Sequence, residues 1–107
     1  QEAAKKVWVE GVTCELKRNS FLPAMPLSEA TKGLVGIVNQ AAEKAGFTAK
    51  WVDAGGGSDG NHIAESGVPV VDGCGPAGSG LHTEREYLQL DTVEERIRMQ
   101  ANVYSLI

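Results

Sequence analysis

The clearest helical pattern in the chain lies between residues 28 and 46. Apolar residues recur there at intervals of three and four, which is the spacing of one helix face. They are Ala30, Leu34, Ile37, Val38, Ala41 and Ala45. Ser28 suits the N-cap, because its hydroxyl can accept a hydrogen bond from a free N–H of the first turn, and Gly46 is typical of the left-handed residue that ends a helix. The pattern predicts one amphipathic helix between these two residues.

Two more helices are predicted further along the chain. Residues 59–66 form a short helical pattern that ends at Gly67. A longer pattern follows Asp91, which together with Glu94 has the spacing of a capping box. Its apolar residues predict one buried face. That face comprises Val93, Ile97, Ala101, Tyr104 and Ile107.

Between the helices, β-branched and apolar residues predict strands. The predicted strands are 7–10, 12–18, 47–52 and 68–71, with an edge strand at 86–90. Gly11 interrupts the first pair and predicts a bulge or bend, and the proline-containing segment 19–26 predicts a linker. Because strands and helices alternate, the predicted fold class is α/β, with helices layered on a partial sheet.

Composition narrows the partners of the chain. It has 107 residues, near the size of one small domain, with 14 acidic and 10 basic side chains and no basic run longer than the pairs Lys5-Lys6 and Lys17-Arg18. Nucleic acid and membrane are therefore not expected partners. No apolar run approaches the roughly 20 residues that span a bilayer. We expect a soluble protein, with the choice between cytoplasm and periplasm left open.

Cys14 and Cys74 are far apart and form no CxxC motif, so we expect two ordinary buried thiols rather than a disulfide or a zinc ribbon.

A few residues are candidates for chemistry, each with a plainer alternative. His82 stands in a glycine-rich stretch, and a neutral imidazole is a good zinc ligand, although a lone loop histidine is more often a surface residue. The loop Gly55–Gly60 joins a predicted strand to a predicted helix, a place where backbone N–H groups can hold an anion or simply make a tight turn capped by Asp59. Arg18 is either a solvated strand end or a group that binds a carboxylate. His62 is expected to pack or to form a hydrogen bond.

Three segments, taken in order, resemble the C-terminal part of one enzyme family. They are Arg18-Asn19-Ser20-Phe21, the loop Gly55–Gly60, and the stretch from Gly73 to Leu81 that leads into His82, Thr83 and Glu86. The family is that of the two-zinc exopeptidases and deacylases, which includes glutamate carboxypeptidase, acetylornithine deacetylase, succinyl-diaminopimelate desuccinylase and aminoacylase. The spacing most resembles the glutamate carboxypeptidase branch, and the resemblance covers essentially the whole chain.

The resemblance implies a division of the chain and a set of roles. Residues 1–18 would end a lid domain used for dimerisation, and residues 19–107 would be the C-terminal part of a metallopeptidase catalytic domain. His82 would be a zinc ligand, Arg18 would hold the substrate carboxylate, and the backbone of three glycines would line the cleft. Those glycines are Gly56, Gly57 and Gly78.

The implied reaction is hydrolysis of an amide bond next to a carboxylate-bearing residue. The substrate would be a small peptide or an N-acyl amino acid, and the attacking water would be activated by two zinc ions. The resemblance also implies a homodimer, and the exposed edges of a truncated sheet predict association by segment swapping.

One departure from the family is large. The family's other metal ligands and its glutamate base have no counterpart in the chain, and one imidazole cannot build a zinc site. We therefore expect the isolated chain to be inactive, and the uncapped helical start at 1–6 suggests a piece of a longer protein. The alternative is an autonomous, non-catalytic α/β module that binds an anion or a partner through the glycine loop.

Overall fold

The computed structural model describes residues 2–107, so Gln1, the first residue of the predicted lid segment, lies outside the described part. Four helices and two short strands make up the regular structure of residues 2–107. They follow the order α1 (Glu2–Lys5), α2 (Glu29–Ala45), α3 (Gly60–Glu65), β1 (Gly78–Ser79), β2 (Tyr87–Leu88) and α4 (Asp91–Leu106). The three helices predicted beyond residue 27 are therefore confirmed, each within one or two residues of its predicted bounds.

Both ends of α2 form as the sequence predicts. The hydroxyl Oγ of Ser28 accepts a hydrogen bond from the backbone N–H of Thr31 at 3.1 Å. At the other end Gly46 has φ 94°, and its N–H donates to the carbonyl oxygens of Ala42 and Glu43. Only glycine adopts this left-handed conformation without steric cost. The glycine at position 46 therefore ends α2.

The core lies where α2 packs against α4. Its buried residues are Val38, Ala41, Ala42 and Met99. The two alanines are completely buried, and their small side chains let the backbone of α4 come close. The amide Nδ2 of Asn102 on α4 donates to the Ala41 carbonyl at 3.1 Å, which joins the helices by a polar contact as well.

The predicted buried face of α4 is wrong. Ile97, Tyr104 and Ile107 are 63%, 75% and 76% exposed, Ala101 is exposed, and Val93 is half-buried. The residues that pack against the core instead include Met99, Val103 and Leu106. The helix carries apolar residues on two sides. The side that packs against α2 is not the side whose apolar residues recur most regularly in the sequence.

The predicted capping box of α4 is also absent. Leu90 occupies the N-cap position and makes no side-chain capping bond. Asp91 lies within the helix, and Glu94 forms an ion pair with Arg98 one turn later. The (i, i+4) ion pair takes up the carboxylate that a capping box would have used.

Most of the predicted strands are not present. Within residues 2–107 the described sheet is one antiparallel pair, with Gly78 opposite Leu88 and Ser79 opposite Tyr87. β2 lies inside the predicted edge strand 86–90, whereas 7–10, 12–18, 47–52 and 68–71 are irregular. A strand persists only when a neighbour accepts its backbone hydrogen bonds, and these segments have none. Residues 2–107 therefore combine helices with one small antiparallel sheet, which agrees with the predicted α/β class in part, and the predicted layered sheet is not formed within them.

Of the bulge and the bend predicted at Gly11, the bend is present: Gly11 has φ 80°, and the Val12 N–H donates to the Val9 carbonyl at 3.2 Å in a turn.

The chain as a whole is extended. Its radius of gyration is 19.7 Å, against about 13 Å for a compact domain of this length. It exposes 8780 Å², where a compact chain of this mass exposes about 5,700 Å². Much apolar surface is therefore uncovered. Within residues 2–107, none of the helices combines the length and the apolar character that crossing a bilayer requires.

Candidate functional site

His82 lies at the tip of the hairpin loop between β1 and β2, and it is exposed. Its backbone has φ 63°, a left-handed conformation that is uncommon for any residue with a side chain. The backbone N–H of His82 donates to Oε2 of Glu86 at 3.1 Å. The Glu86 carboxylate therefore helps to hold the histidine backbone in this conformation while the residue stays accessible.

The loop around His82 is closed by further hydrogen bonds. The Thr83 hydroxyl donates to the Gly80 carbonyl at 2.7 Å, and the N–H of Glu86 donates to the Thr83 carbonyl at 3.1 Å. Gly80 has φ 74°, and a Cβ there would lie 2.6 Å from the Arg85 carbonyl oxygen. At Gly78 a Cβ would collide with the Tyr87 carbonyl. Both glycines are needed for the chain to double back beneath His82.

The glycine loop lies elsewhere, beside a cavity of about 890 Å³ between α2 and the irregular segments. Gly56 and Gly57 border this cavity, with mostly apolar walls that include Met25, Val38 and Val70. The Leu22 side chain fills the space that a Cβ at Gly57 would need. The backbone of Gly55–Gly57 therefore lies directly against this mostly apolar cavity.

The N–H groups at the start of α3 are already hydrogen-bonded. The Ser58 N–H donates to Oδ1 of Asn61 at 2.8 Å, and the Gly60 N–H donates to the Ser58 hydroxyl at 3.1 Å. Asn61 also donates to the Pro23 carbonyl at 2.8 Å. Asp59, predicted to cap this helix, makes no such bond. These internal contacts compete with any anion at the start of α3.

Arg18 is exposed in the irregular segment before α2. Its guanidinium lies 4.3 Å from the centroid of the Phe21 ring, a cation–π contact with another residue of the same motif. Neither Arg18 nor His82 lines the cavity that Gly56 and Gly57 border. The structure thus places the predicted site residues in three separate locations. Gly78 and His82 belong to the hairpin, Gly56 and Gly57 border the cavity, and Arg18 lies in the segment before α2.

His62, predicted to pack or to form a hydrogen bond, is exposed.

The residues present do not form a complete metal site. In the described part of the chain no three His, Cys, Asp or Glu side chains lie together in a group that could hold a metal ion. A catalytic zinc has three protein ligands and a structural zinc four. His82 can therefore supply one metal ligand, but it cannot form a metal site by itself.

Sequence reasoning missed Arg96, which lines the cavity from α4. Its guanidinium lies 4.3 Å from the centroid of the Phe47 ring, and its Nε is buried with no hydrogen-bond partner in residues 2–107. The Glu95 carboxylate is 3.7 Å from that Nε. One sequence signal could have indicated this position of Arg96. It lies three residues before Met99, and so on the same side of α4 as that buried residue.

Cys74 lies near Arg96 at the same cavity. Burial raises the pKa of the Cys74 thiol, the Asp72 carboxylate raises it further, and the Arg96 guanidinium opposes both. The thiol is therefore neutral at neutral pH, unlike a nucleophilic cysteine. Cys74 is partly buried as expected, whereas Cys14 is exposed, and both are free thiols.

Comparison with known proteins points to one family. The sequence profile of peptidase family M20/M25/M40 matches residues 3–105. Peptidase T of Shouchella clausii (strain KSM-K16) is 28% identical over 96 residues, which cover 90% of this chain and 23% of that protein. No solved structure matches the chain. Since the profile spans nearly all of residues 2–107, the chain belongs to peptidase family M20/M25/M40.

Proposed function

We propose that this chain is part of a metal-dependent peptidase, and that His82 supplies one ligand to its metal site. The observation that carries the proposal is the family match over residues 3–105, together with the single exposed imidazole at the tip of a hydrogen-bonded hairpin. The remaining ligands would come from polypeptide outside these 107 residues, because the described residues hold no complete set. The proposed metal is zinc, with two ions in the whole enzyme.

The proposed substrate is a small peptide or an N-acyl amino acid with a carboxylate beside the scissile amide. Arg18 would bind that carboxylate, since an exposed guanidinium can form two parallel hydrogen bonds with it. Gly56, Gly57 and Gly78 would contribute backbone to the cleft. This glutamate carboxypeptidase-like specificity rests on the motif resemblance, because the relative named Peptidase T indicates only a peptidase.

The division at residue 18 remains part of the proposal. Residues 12–20 are exposed throughout and contain neither helix nor strand, which suits a segment that leads from one domain to another. Residues 1–18 would then end a lid domain, and residues 19–107 would continue the catalytic domain.

The proposal predicts that the purified chain does not hydrolyse a dipeptide with C-terminal glutamate, with or without added Zn²⁺. A chimera in which the chain replaces the matching segment of Peptidase T should hydrolyse peptides. In that chimera His82→Ala should abolish activity and lower the bound zinc measured by mass spectrometry. The matched control is His62→Ala, which removes the other exposed histidine of the chain and should change neither quantity. Full activity and full zinc content in the His82→Ala chimera would overturn the ligand assignment.

A second experiment tests Arg18 in the same chimera. Arg18→Ala should raise KM for the glutamate substrate by about 10- to 100-fold, the loss typical of one charge-assisted pair. The KM for the corresponding C-terminal amide should stay the same. Lys17→Ala removes the neighbouring charge and serves as the control. An equal rise in KM for both substrates would show that Arg18 does not bind the carboxylate.

A further inference from the structure

The Glu86 side chain reaches back across the hairpin loop to the backbone of His82. Its Oε2 accepts a hydrogen bond from the His82 N–H at 3.1 Å. A carboxylate oxygen is a strong acceptor for a backbone N–H, because it carries negative charge. Glu84 lies closer to His82 in the sequence, but the His82 N–H donates to Glu86 and not to Glu84. The contact is therefore selective between two carboxylates of the same loop.

Glu86 is itself fixed by contacts on both sides. Its N–H donates to the Thr83 carbonyl at 3.1 Å, and the next residue, Tyr87, pairs with Ser79 across the hairpin. The Thr83 hydroxyl in turn accepts a hydrogen bond from the Arg85 N–H at 3.2 Å. None of these bonds involves His82. They fix the place from which the Glu86 carboxylate reaches the histidine backbone.

The bond to Glu86 acts on a backbone conformation that the residue disfavours. His82 has φ 63°, whereas residues with a Cβ favour negative φ. A return to negative φ would turn the backbone by more than a right angle and would carry the imidazole with it. A metal ligand has to be held within about 0.5 Å of its productive position. The left-handed backbone of His82 therefore determines where its imidazole can meet a metal ion.

We propose that Glu86 is the positioning residue of His82: by accepting the His82 N–H, it keeps this backbone left-handed and so orients the imidazole for the metal. The inference rests on the proposed role of His82 as a ligand. Since Glu86 acts through the backbone of the ligand, its function requires an acceptor oxygen and not a negative charge. The side-chain amide of glutamine has the same shape and offers such an oxygen.

Amide hydrogen exchange of the intact chain, followed by NMR, tests the contact itself and needs no metal. Glu86→Ala should speed exchange of the His82 N–H by about 3- to 10-fold, which corresponds to the loss of one hydrogen bond. Glu86→Gln should keep this exchange slow. The matched control is Glu84→Ala, which removes the neighbouring carboxylate and should leave the exchange unchanged. Equal exchange in the parent chain and in Glu86→Ala would refute the proposal.

Zinc binding by the Peptidase T chimera tests the consequence for the metal. Glu86→Ala should raise the dissociation constant for Zn²⁺ by about 10- to 100-fold, the range typical of a lost residue that orients a metal ligand. Glu86→Gln and the control Glu84→Ala should bind zinc nearly as tightly as the parent. Circular dichroism of the intact chain should show the same helix content in every variant, because the hairpin lies outside the core formed by α2 and α4.

The outcomes separate this inference from the proposed function. If His82→Ala leaves the zinc content of the chimera unchanged, the ligand role is wrong, and the role of Glu86 is wrong with it. If His82→Ala removes zinc but Glu86→Ala binds it as tightly as the parent, only the positioning role is wrong. An equal loss of affinity in Glu86→Gln and Glu86→Ala would mean that the charge is required, and it too would overturn the positioning role.

Discussion

His82 has a backbone conformation that is costly for a residue with a side chain. At φ 63° its Cβ crowds the following carbonyl, at a cost of about 1–2 kcal/mol. The Glu86 carboxylate and the Thr83 hydroxyl hold the loop against that cost. Positions of this kind concentrate at functional sites, where the surrounding contacts fix a geometry that the local chain disfavours. The conformation of His82 is therefore consistent with the proposed ligand role.

Glycine substitution measures the cost of this conformation. His82→Gly should be more stable than His82→Ala by about 1 kcal/mol, because glycine adopts positive φ without the Cβ clash. At His62, inside α3, the order should reverse, because glycine is the poorer helix residue by about 0.8–1 kcal/mol. Urea denaturation of the four variants in a chelating buffer gives the comparison. The same order at both positions would contradict the left-handed conformation of His82.

At the scale of elements, α4 depends on one side for its stability and leaves the other side exposed. Met99 is 1% exposed between α2 and α4, whereas Ile97, two residues earlier, is 63% exposed. Two large apolar residues on the same helix thus differ strongly in burial, because Met99 is fully buried whereas most of the Ile97 surface is exposed. Since the free energy of burial follows the apolar area removed from water, Met99 should contribute much more to stability than Ile97.

Alanine substitution of these two residues tests the orientation of α4. Met99→Ala should lower the free energy of unfolding by about 2–3 kcal/mol, through lost burial and the cavity left behind. Ile97→Ala should change it by less than about 0.5 kcal/mol, as surface changes do. Both are measured by urea denaturation at a concentration where the chain is monomeric. A larger loss for Ile97→Ala would mean that α4 packs through the face that the sequence pattern first favoured.

On the scale of the whole molecule, the chain consists of a helical core and a long exposed segment that precedes it. Residues 6–22 contain no helix, strand or buried residue, and Trp8, Val9 and Leu16 are more than half exposed. The core formed by α2 and α4 begins only at residue 29. Resistance to local unfolding should therefore be concentrated in the two long helices, because segments with few buried contacts open at little cost.

Limited trypsin digestion tests this difference. The first cuts should fall between residues 5 and 18, at Lys5, Lys6, Lys17 or Arg18, and should leave a resistant product that contains α2 and α4. Changing Lys17 and Arg18 together to Gln should remove the products that begin at residues 18 and 19 and leave those that begin at residues 6 and 7. Early cuts at Arg96 or Arg98 would show that α4 is not part of the stable core. Mass spectrometry identifies each product.

Local signals were sufficient for part of the fold and part of the candidate site. Ser28 and Gly46 act on their own neighbours in the chain, so α2 was predicted with both of its ends. The irregular segment 47–52 was predicted as a strand, because its side chains favour one whereas its partner is not encoded locally. The motif around His82 indicated the family, but neither its left-handed backbone nor the Glu86 contact was predicted.

What the amino-acid sequence determined by itself is therefore the helical elements, which depend on residues close together in the chain, and the family, which three short motifs taken in order indicated. Only the tertiary structure decided which side of α4 is buried and placed Arg96 beside Phe47. It also separated His82 from the cavity that Gly56 and Gly57 border. The reason is physical. Periodicity shows that a face is apolar, whereas burial depends on which distant segment arrives to cover it.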